Sequence, residues 1–190
     1  MKELIVGLAG NPNVGKTTVF NQLTGMRQHV GNWPGKTVER AEGSFKHGEY
    51  EYDIIDLPGN YALSAHSMEE IVSRDFIVDD DSDVIVNVVD AANLERNLYL
   101  TVQMMELGAN LVMALNMNDF AKKKEHIINI KLMGELLGFP VVEVNAKTKD
   151  GFEELLTTVE KAAAKPVDSS AKLSYGDELK GHLSDLQALI

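Results

Sequence analysis

The sequence predicts an α/β domain with a mostly parallel six-stranded sheet, one antiparallel edge strand, and helices on both faces. Three observations carry that expectation. Apolar strand-like runs alternate with helical patterns along the chain, the order that a doubly wound sheet requires. Three of those runs are almost continuously apolar, as in strands covered on both faces. A glycine-rich loop, Gly10-Asn11-Pro12-Asn13-Val14-Gly15-Lys16-Thr17, separates the first strand from the first helix.

The elements follow in order. Leu4 to Ala9 has the length and apolarity of a strand, and Lys16 to Thr24 continues from the loop as a helix. The segment from Thr37 to Phe45 reaches the strand Tyr50 to Asp56 through only Lys46-His47-Gly48-Glu49. A connection that short permits only an antiparallel hairpin. Met68 to Val78 then reads as helix, Val84 to Val89 as strand, Leu94 to Leu107 as helix and Asn110 to Leu115 as strand. A helical segment within Ile127 to Leu137, the strand Pro140 to Val144 and the helix Gly151 to Ala164 complete the domain at residue 165. In the tail, 166–190, Leu179, Leu183, Leu186 and Ile190 recur at helical spacing. Either a further helical domain starts there or a solvated helix folds back. One antiparallel strand after a phosphate loop is a Ras-like arrangement.

Composition narrows the class. At 190 residues the chain buries a substantial core, and 44% hydrophobic with 25% charged residues is a globular balance. No apolar run approaches the ~20 residues that span a bilayer, and no cleavable leader is evident, so the fragment is expected to be soluble. The absence of cysteine excludes disulfides and thiolate metal sites. A net charge of −11 opposes a broad grip on nucleic acid. Anion binding is therefore local, at the loop.

Five stations give that loop a chemistry. In G-x-x-x-x-G-K-T the glycines allow a tight turn, Lys16 offsets phosphate charge and the Thr17 hydroxyl ligates Mg²⁺. The cradle runs through Asn11, Pro12, Asn13, Val14, Gly15, Lys16, Thr17 and Thr18, and the following helix adds its N-terminal dipole. Asp56-Leu57-Pro58-Gly59 stands at the carboxyl end of a strand, where open sheets bind ligands. There Asp56 serves the Mg²⁺ shell and the Gly59 N–H meets a γ-phosphate. Thr37, in the mobile-looking loop from Gly31 through Trp33, completes the metal shell. The fourth station, Asn116-Met117-Asn118-Asp119, selects the base. Asp119 accepts from guanine N1–H and its exocyclic amine, Asn116 braces the loop and contacts N7, and adenine is rejected. Met117 stands where Lys is usual, its flexible stem on the base face. Asn145-Ala146-Lys147 is the fifth station, placing the Ala146 N–H at guanine O6.

The chain resembles the N-terminal G domain of the prokaryotic ferrous iron transport protein B (FeoB) family. Carrying the resemblance are G-N-P-N-V-G-K-T, Val30-Gly31-Asn32-Trp33-Pro34-Gly35, Asp56-Leu57-Pro58-Gly59-Asn60-Tyr61-Ala62-Leu63-Ser64 and Glu95-Arg96-Asn97-Leu98-Tyr99-Leu100. It covers about residues 3 to 164. The resemblance implies a GTP/GDP-binding domain on the cytoplasmic face of the cell membrane, joined to a membrane-spanning part that passes Fe²⁺. A helical domain favouring GDP binding normally links the two, and 166–190 is expected to be its truncated start. Self-association stays open.

Asn60 stands where a Ras-like enzyme carries the Gln that orients the attacking water, so hydrolysis is expected to be slow. For potassium-stimulated GTPases the resemblance implies K⁺ beside the phosphates, held by Asn13 and by carbonyls near Gly31 and Trp33. Catalysis is thereby assigned to Asn13, Lys16, Thr37 and Gly59.

Other residues read more plainly. His29, His47, His66, His126 and His182 lack ligand spacing. Asp79-Asp80-Asp81-Ser82-Asp83 reads as an acidic loop, and Lys122-Lys123-Lys124 as a surface face. Trp33 reads as a partly exposed switch residue. Two other classes remain compatible: a soluble RNA- or ribosome-associated GTPase, against which the net charge speaks, and a nucleotide-gated interaction module with negligible turnover.

Overall fold

Strand β1, Lys2–Gly10, puts Leu4, Val6 and Leu8 on one sheet face and Ala9 on the other, the alternation of a strand buried on both sides. The computed structural model describes residues 2–25, 28–79, 81–123, 125, 127–174 and 176. After β1 come α1 (Lys16–Thr24), β2 (Gln28–Asn32), β3 (Glu39–His47), β4 (Tyr50–Asp56) and α2 (Met68–Val78). The chain continues through β5 (Val84–Asp90), α3 (Leu94–Glu106), β6 (Leu111–Asn116), α4 (Asn118–Lys123), α5 (Ile130–Leu137), β7 (Val141–Glu143) and α6 (Phe152–Ala164).

The sheet order is β2-β3-β4-β1-β5-β6-β7. β1, β4, β5, β6 and β7 pair parallel, while β3 runs antiparallel to both β2 and β4. The expected hairpin is present, with its turn tightened to Gly48-Glu49 because His47 already pairs with Tyr50. Where six strands are expected, the sheet among the described residues has seven. β2 adds itself outside β3, and its residues are exposed or half-buried. Its sequence, Gln28 to Asn32, has one large apolar residue, so no period-2 pattern announced it. Its order comes from pairing with β3.

Two apolar layers sandwich the sheet. Val19 and Phe20 of α1 pack with Leu155 and Val159 of α6 against Leu4, Val6, Val86 and Val112. On the opposite face Phe76, Leu100 and Met104, from α2 and α3, cover Ala9, Ile85 and Leu111. Tyr52 crosses the first layer fully buried, and its hydroxyl donates to Glu160 at 2.8 Å. Burial and the Glu160 carboxylate push that phenol well above its ordinary pKa. Parallel strands under both layers bring the carboxyl ends of β1, β4, β5 and β6 to one rim of the sheet.

Among the described residues no helix is long and apolar enough to cross a membrane. Asp80, Lys124, His126, His182 and the tail positions Leu179, Leu183, Leu186 and Ile190 lie outside the described residues.

Candidate functional site at the carboxyl rim of the sheet

Gly15 has φ +90°, and a Cβ there would lie 2.4 Å from Asn116 Nδ2. Only glycine lets the first loop approach the base-selecting loop this closely. Asn13 also sits in the left-handed region, at φ +68°, which Asn tolerates better than most residues. Helix α1 then starts at Lys16 with no side chain capping it, whereas Ser67 caps α2 and Asn129 caps α5. Its first N–H groups have no side-chain acceptor, as in α3 and α6, and those of α1 border the phosphate loop.

The buried Lys16 ammonium donates to Leu57 O at 2.6 Å and to the Asp56 carboxylate. Burial pushes the Asp56 carboxyl above its ordinary pKa, against the opposing pull of Lys16. Gly59 lies over Pro12, where a Cβ would sit 3.5 Å from the Pro12 backbone, and the Asn60 N–H donates to Gly10 O at 3.3 Å. The first two stations thus pack on each other. They border a cavity of about 420 Å³ lined by residues 11–13 and 15–18 with Gly59 and Met117.

The Asn60 side chain points away from that cavity. Its amide donates to Ser73 Oγ at 2.8 Å and to Glu69 O at 3.2 Å, tying the second loop to α2. Asn60→Gln is therefore expected to leave hydrolysis unaccelerated, while the extra methylene in a buried site costs about 1–2 kcal/mol of stability. Turnover measured beside thermal melting checks this; a rate gain without loss of stability would contradict it. Glu70, in the first turn of α2, accepts from the His66 N–H at 3.0 Å and from Ser64 at 2.9 Å. The His66 N–H chiefly holds its carboxyl below the ordinary range. From α3, Arg96 stacks over Tyr61 at 4.3 Å and Gln103 accepts from the Leu63 N–H at 2.8 Å. Asn97, buried, accepts from the Asp90 N–H at 3.2 Å and fixes the end of β5.

Asn116 joins three loops. Its amide donates to Val14 O at 2.9 Å and its oxygen accepts from the Ala146 N–H at 3.1 Å. A second cavity, about 320 Å³, opens beside it between Met117, Asp119, Phe120, Asn145 and Lys147. Asn145 Oδ1 accepts from the N–H groups of Lys147 (3.0 Å) and Thr148 (3.3 Å), a side-chain turn that shapes the fifth station. The Ala146 N–H, expected at guanine O6, is engaged by Asn116.

Residues expected in the first switch loop are not gathered at the phosphate cavity. Thr37 is exposed and outside its lining. Gly31 is paired with Arg40 in the β2–β3 ladder. The carbonyl of Trp33 accepts from the Lys36 N–H at 3.0 Å. Its ring is half-buried, edge-on to Phe76 at 5.8 Å with the Arg40 guanidinium 4.9 Å from its centre. A Lys36–Asp75 ion pair at 2.9 Å completes the contact with α2. Apolar burial and an ion pair hold this loop on α2, so Asn13 alone of the expected K⁺ ligands lines the phosphate cavity. Phe120 and Asp90, which also line the base cavity, were missed from sequence. Phe120 follows Asp119 directly, and Asp90 ends a strand on the ligand-binding rim.

A family model for ferrous iron transport protein B matches residues 4–159. The Fe(2+) transporter FeoB of Salmonella choleraesuis (strain SC-B67) is 45% identical over 195 aligned positions, covering 99% of this chain and 25% of that protein. FeoB of Escherichia coli (strain K12) is 48% identical over 168, covering 86% and 22%. The chain thus spans about a quarter of the length of these curated relatives. Among solved structures, the G domain of the T. maritima FeoB iron transporter is 41% identical with TM-score 0.80, covering 85% of this chain and 99% of that one. The cytosolic domain of the same transporter in a GDP form is 36% identical with TM-score 0.91, covering 98% and 74%. Family match, identity and fold agree: the chain belongs to the ferrous iron transport protein B (FeoB) family.

Proposed function

We propose that this chain is the guanine-nucleotide-binding, slowly GTP-hydrolysing module of a ferrous iron transporter, on the cytoplasmic side of the membrane part it serves. The reading rests above all on Asn116, which bridges the phosphate loop and the fifth station and so sets Asp119 at the mouth of the base cavity. Residues 1–165 form the module, and 166–190 lead toward a helical domain and the membrane-spanning part. That the GDP-bound relative aligns over nearly the whole chain supports the nucleotide.

The donor set suits Mg²⁺. The Thr17 hydroxyl and Asp56 carboxylate are hard oxygen ligands, and Asp56 is already held against Lys16, next in sequence to Thr17. Mg²⁺ bound there would offset phosphate charge. When phosphate draws Lys16 away, Asp56 loses its partner and becomes free to ligate. Thr37 joins only if the first switch loop leaves α2, and Gly31 and Trp33 would serve K⁺ beside Asn13 only if Gly31 also gives up its β2–β3 pairing with Arg40. Nucleotide state is thereby coupled to the loop that packs on Phe76 and Asp75.

One observation favours a second reading. With Asn60 committed to α2, no side chain at that position orients water, which suits a nucleotide-gated interaction module with negligible turnover. GTP turnover in K⁺ and in Na⁺, with ATP as competitor, separates the readings. The expected result is faster hydrolysis in K⁺ and no competition from ATP. Equal rates in both salts reject the Asn13 role, absence of turnover in either favours the module, and competition by ATP rejects the guanine assignment.

A further inference from the structure

We propose that Met117 is a reversible oxidation site through which peroxides weaken nucleotide binding. The inference goes beyond the guanine reading and rests on it for the ligand that is lost. Gly15, Thr18 and Met117 line both the phosphate cavity and the base cavity, so a nucleotide spanning the two crosses the Met117 side chain. Lysine, the usual residue there, has no sulfur to oxidise. The chain has no cysteine, so no thiol of its own competes for peroxide.

The fold sets this methionine apart from the others. Met104, Met105 and Met113 are buried in the apolar layer that α2 and α3 build, and Met133 packs half-buried against it. Met1 and Met26 lie outside the described residues. Met68 is 44% exposed but lines neither cavity, whereas Met117 is half-buried at the join of the two. Met117 holds φ +62°, an angle that costs free energy in any residue with a Cβ. Its carbonyl accepts from the N–H groups of Phe120 at 3.0 Å and Ala121 at 3.2 Å, which fixes the turn into α4. The side chain then reaches back over the phosphate loop, where a Cβ on Gly15 would lie 3.7 Å from Met117 Cε.

The chemistry is a two-electron oxygen transfer. A sulfur lone pair attacks one oxygen of hydrogen peroxide, the S–O bond forms as the O–O bond breaks, and the departing hydroxide leaves as water with the proton of the transferred oxygen. Sulfur is oxidised from thioether to sulfoxide and the peroxide is reduced. Reductases that draw on a dithiol return the thioether. Oxidation replaces an apolar, polarizable contact with an oxygen that binds water. A nucleotide lying across both cavities would strip that water away, at a cost in affinity, and would set the sulfoxide oxygen near phosphate charge. Bound nucleotide also covers the sulfur, so the empty site is the one that oxidises.

The test treats the whole chain with hydrogen peroxide, with and without GDP, in wild type, Met117→Leu and Met68→Leu. Peptide mass spectrometry reads oxidation at each methionine, and titration reads GDP affinity before and after. Without GDP, Met117 is expected to oxidise and the wild-type affinity to fall about tenfold. Met68→Leu should show the same fall, and Met117→Leu should bind GDP equally before and after peroxide, from its own starting affinity. Methionine sulfoxide reductases with dithiothreitol should restore the wild type. Bound GDP should protect Met117 and leave the oxidation of Met68 unchanged. The inference is overturned, with the guanine reading left standing, if Met117 stays intact under peroxide that oxidises Met68, if wild type oxidised at Met117 keeps its affinity, or if Met117→Leu loses as much affinity as wild type. Failure of the untreated wild type to prefer GDP to ADP overturns the guanine reading itself.

Discussion

Asp119→Ala is expected to weaken GDP binding by about two to three orders of magnitude while leaving ADP binding as weak as before. A carboxylate accepting two hydrogen bonds from the base supplies contacts of about 1.5–3 kcal/mol each, and no other group lining the cavity offers a second carboxylate at that position. Asp90, the other acid there, is committed to the Ala92 N–H at 2.8 Å and the Asn93 amide at 2.6 Å. The fold is expected to be almost indifferent. Asp119 is exposed, so its removal should change stability by no more than about 0.5 kcal/mol. Titration of fluorescent GDP and ADP, beside thermal melting, checks both halves. A retained preference for GDP would move base selection elsewhere, and a melting point several degrees lower would make Asp119 a structural residue.

What the sequence made legible was whatever is local. The phosphate loop declares itself because its glycines, lysine and hydroxyl act within eight consecutive residues, and the structure bears out the strand-loop-helix setting. The long strands were equally plain, since burial on both faces leaves near-continuous apolar runs such as Val84 to Val89. Less legible was anything decided by distant partners. β2 exists because β3 offers it an edge, and α4 has only six residues around Asp119 and Phe120, too few for a helical period. The direction of Asn60 depends on Ser73, thirteen residues away across a turn. Spacing alone also could not show that the Ala146 N–H would be engaged by Asn116 or that Trp33 would settle on Phe76 and not over the phosphates.

The position of the first switch loop follows from competing contacts. Trp33 gains apolar burial against Phe76 and a cation over its ring from Arg40, while Lys36 gains an exposed ion pair. Exposed pairs contribute about 0–1 kcal/mol and an aromatic pair about 0.5–1.5 kcal/mol beyond area. These sums are small. On the proposed function, a bound metal and γ-phosphate contacting Thr37 would have only these small contacts to overcome.

The other large effect is expected at Asn116, and it should appear in stability and binding together. Asn116 is 4% exposed and bonds across 102 residues to Val14 O and across 30 to the Ala146 N–H. Asn116→Ala leaves a buried acceptor and a buried donor without partners, at about 1–3 kcal/mol each. For a domain of this size that corresponds to a fall in melting temperature of about 5–15 °C. Guanine nucleotide binding should be lost with it, because the phosphate loop, Asp119 and the fifth station lose their common brace. Gly15→Ala probes the same contact from the other side, since its Cβ would meet Asn116 Nδ2 at 2.4 Å. In the Asn116→Ala background that collision is gone and only the strain of φ +90° remains, about 1–2 kcal/mol. The double variant should therefore be more stable than the sum of the two single losses predicts. Strict additivity, measured by denaturant unfolding, would show that Gly15 is required by its backbone angle alone and that the close approach to Asn116 carries no energy.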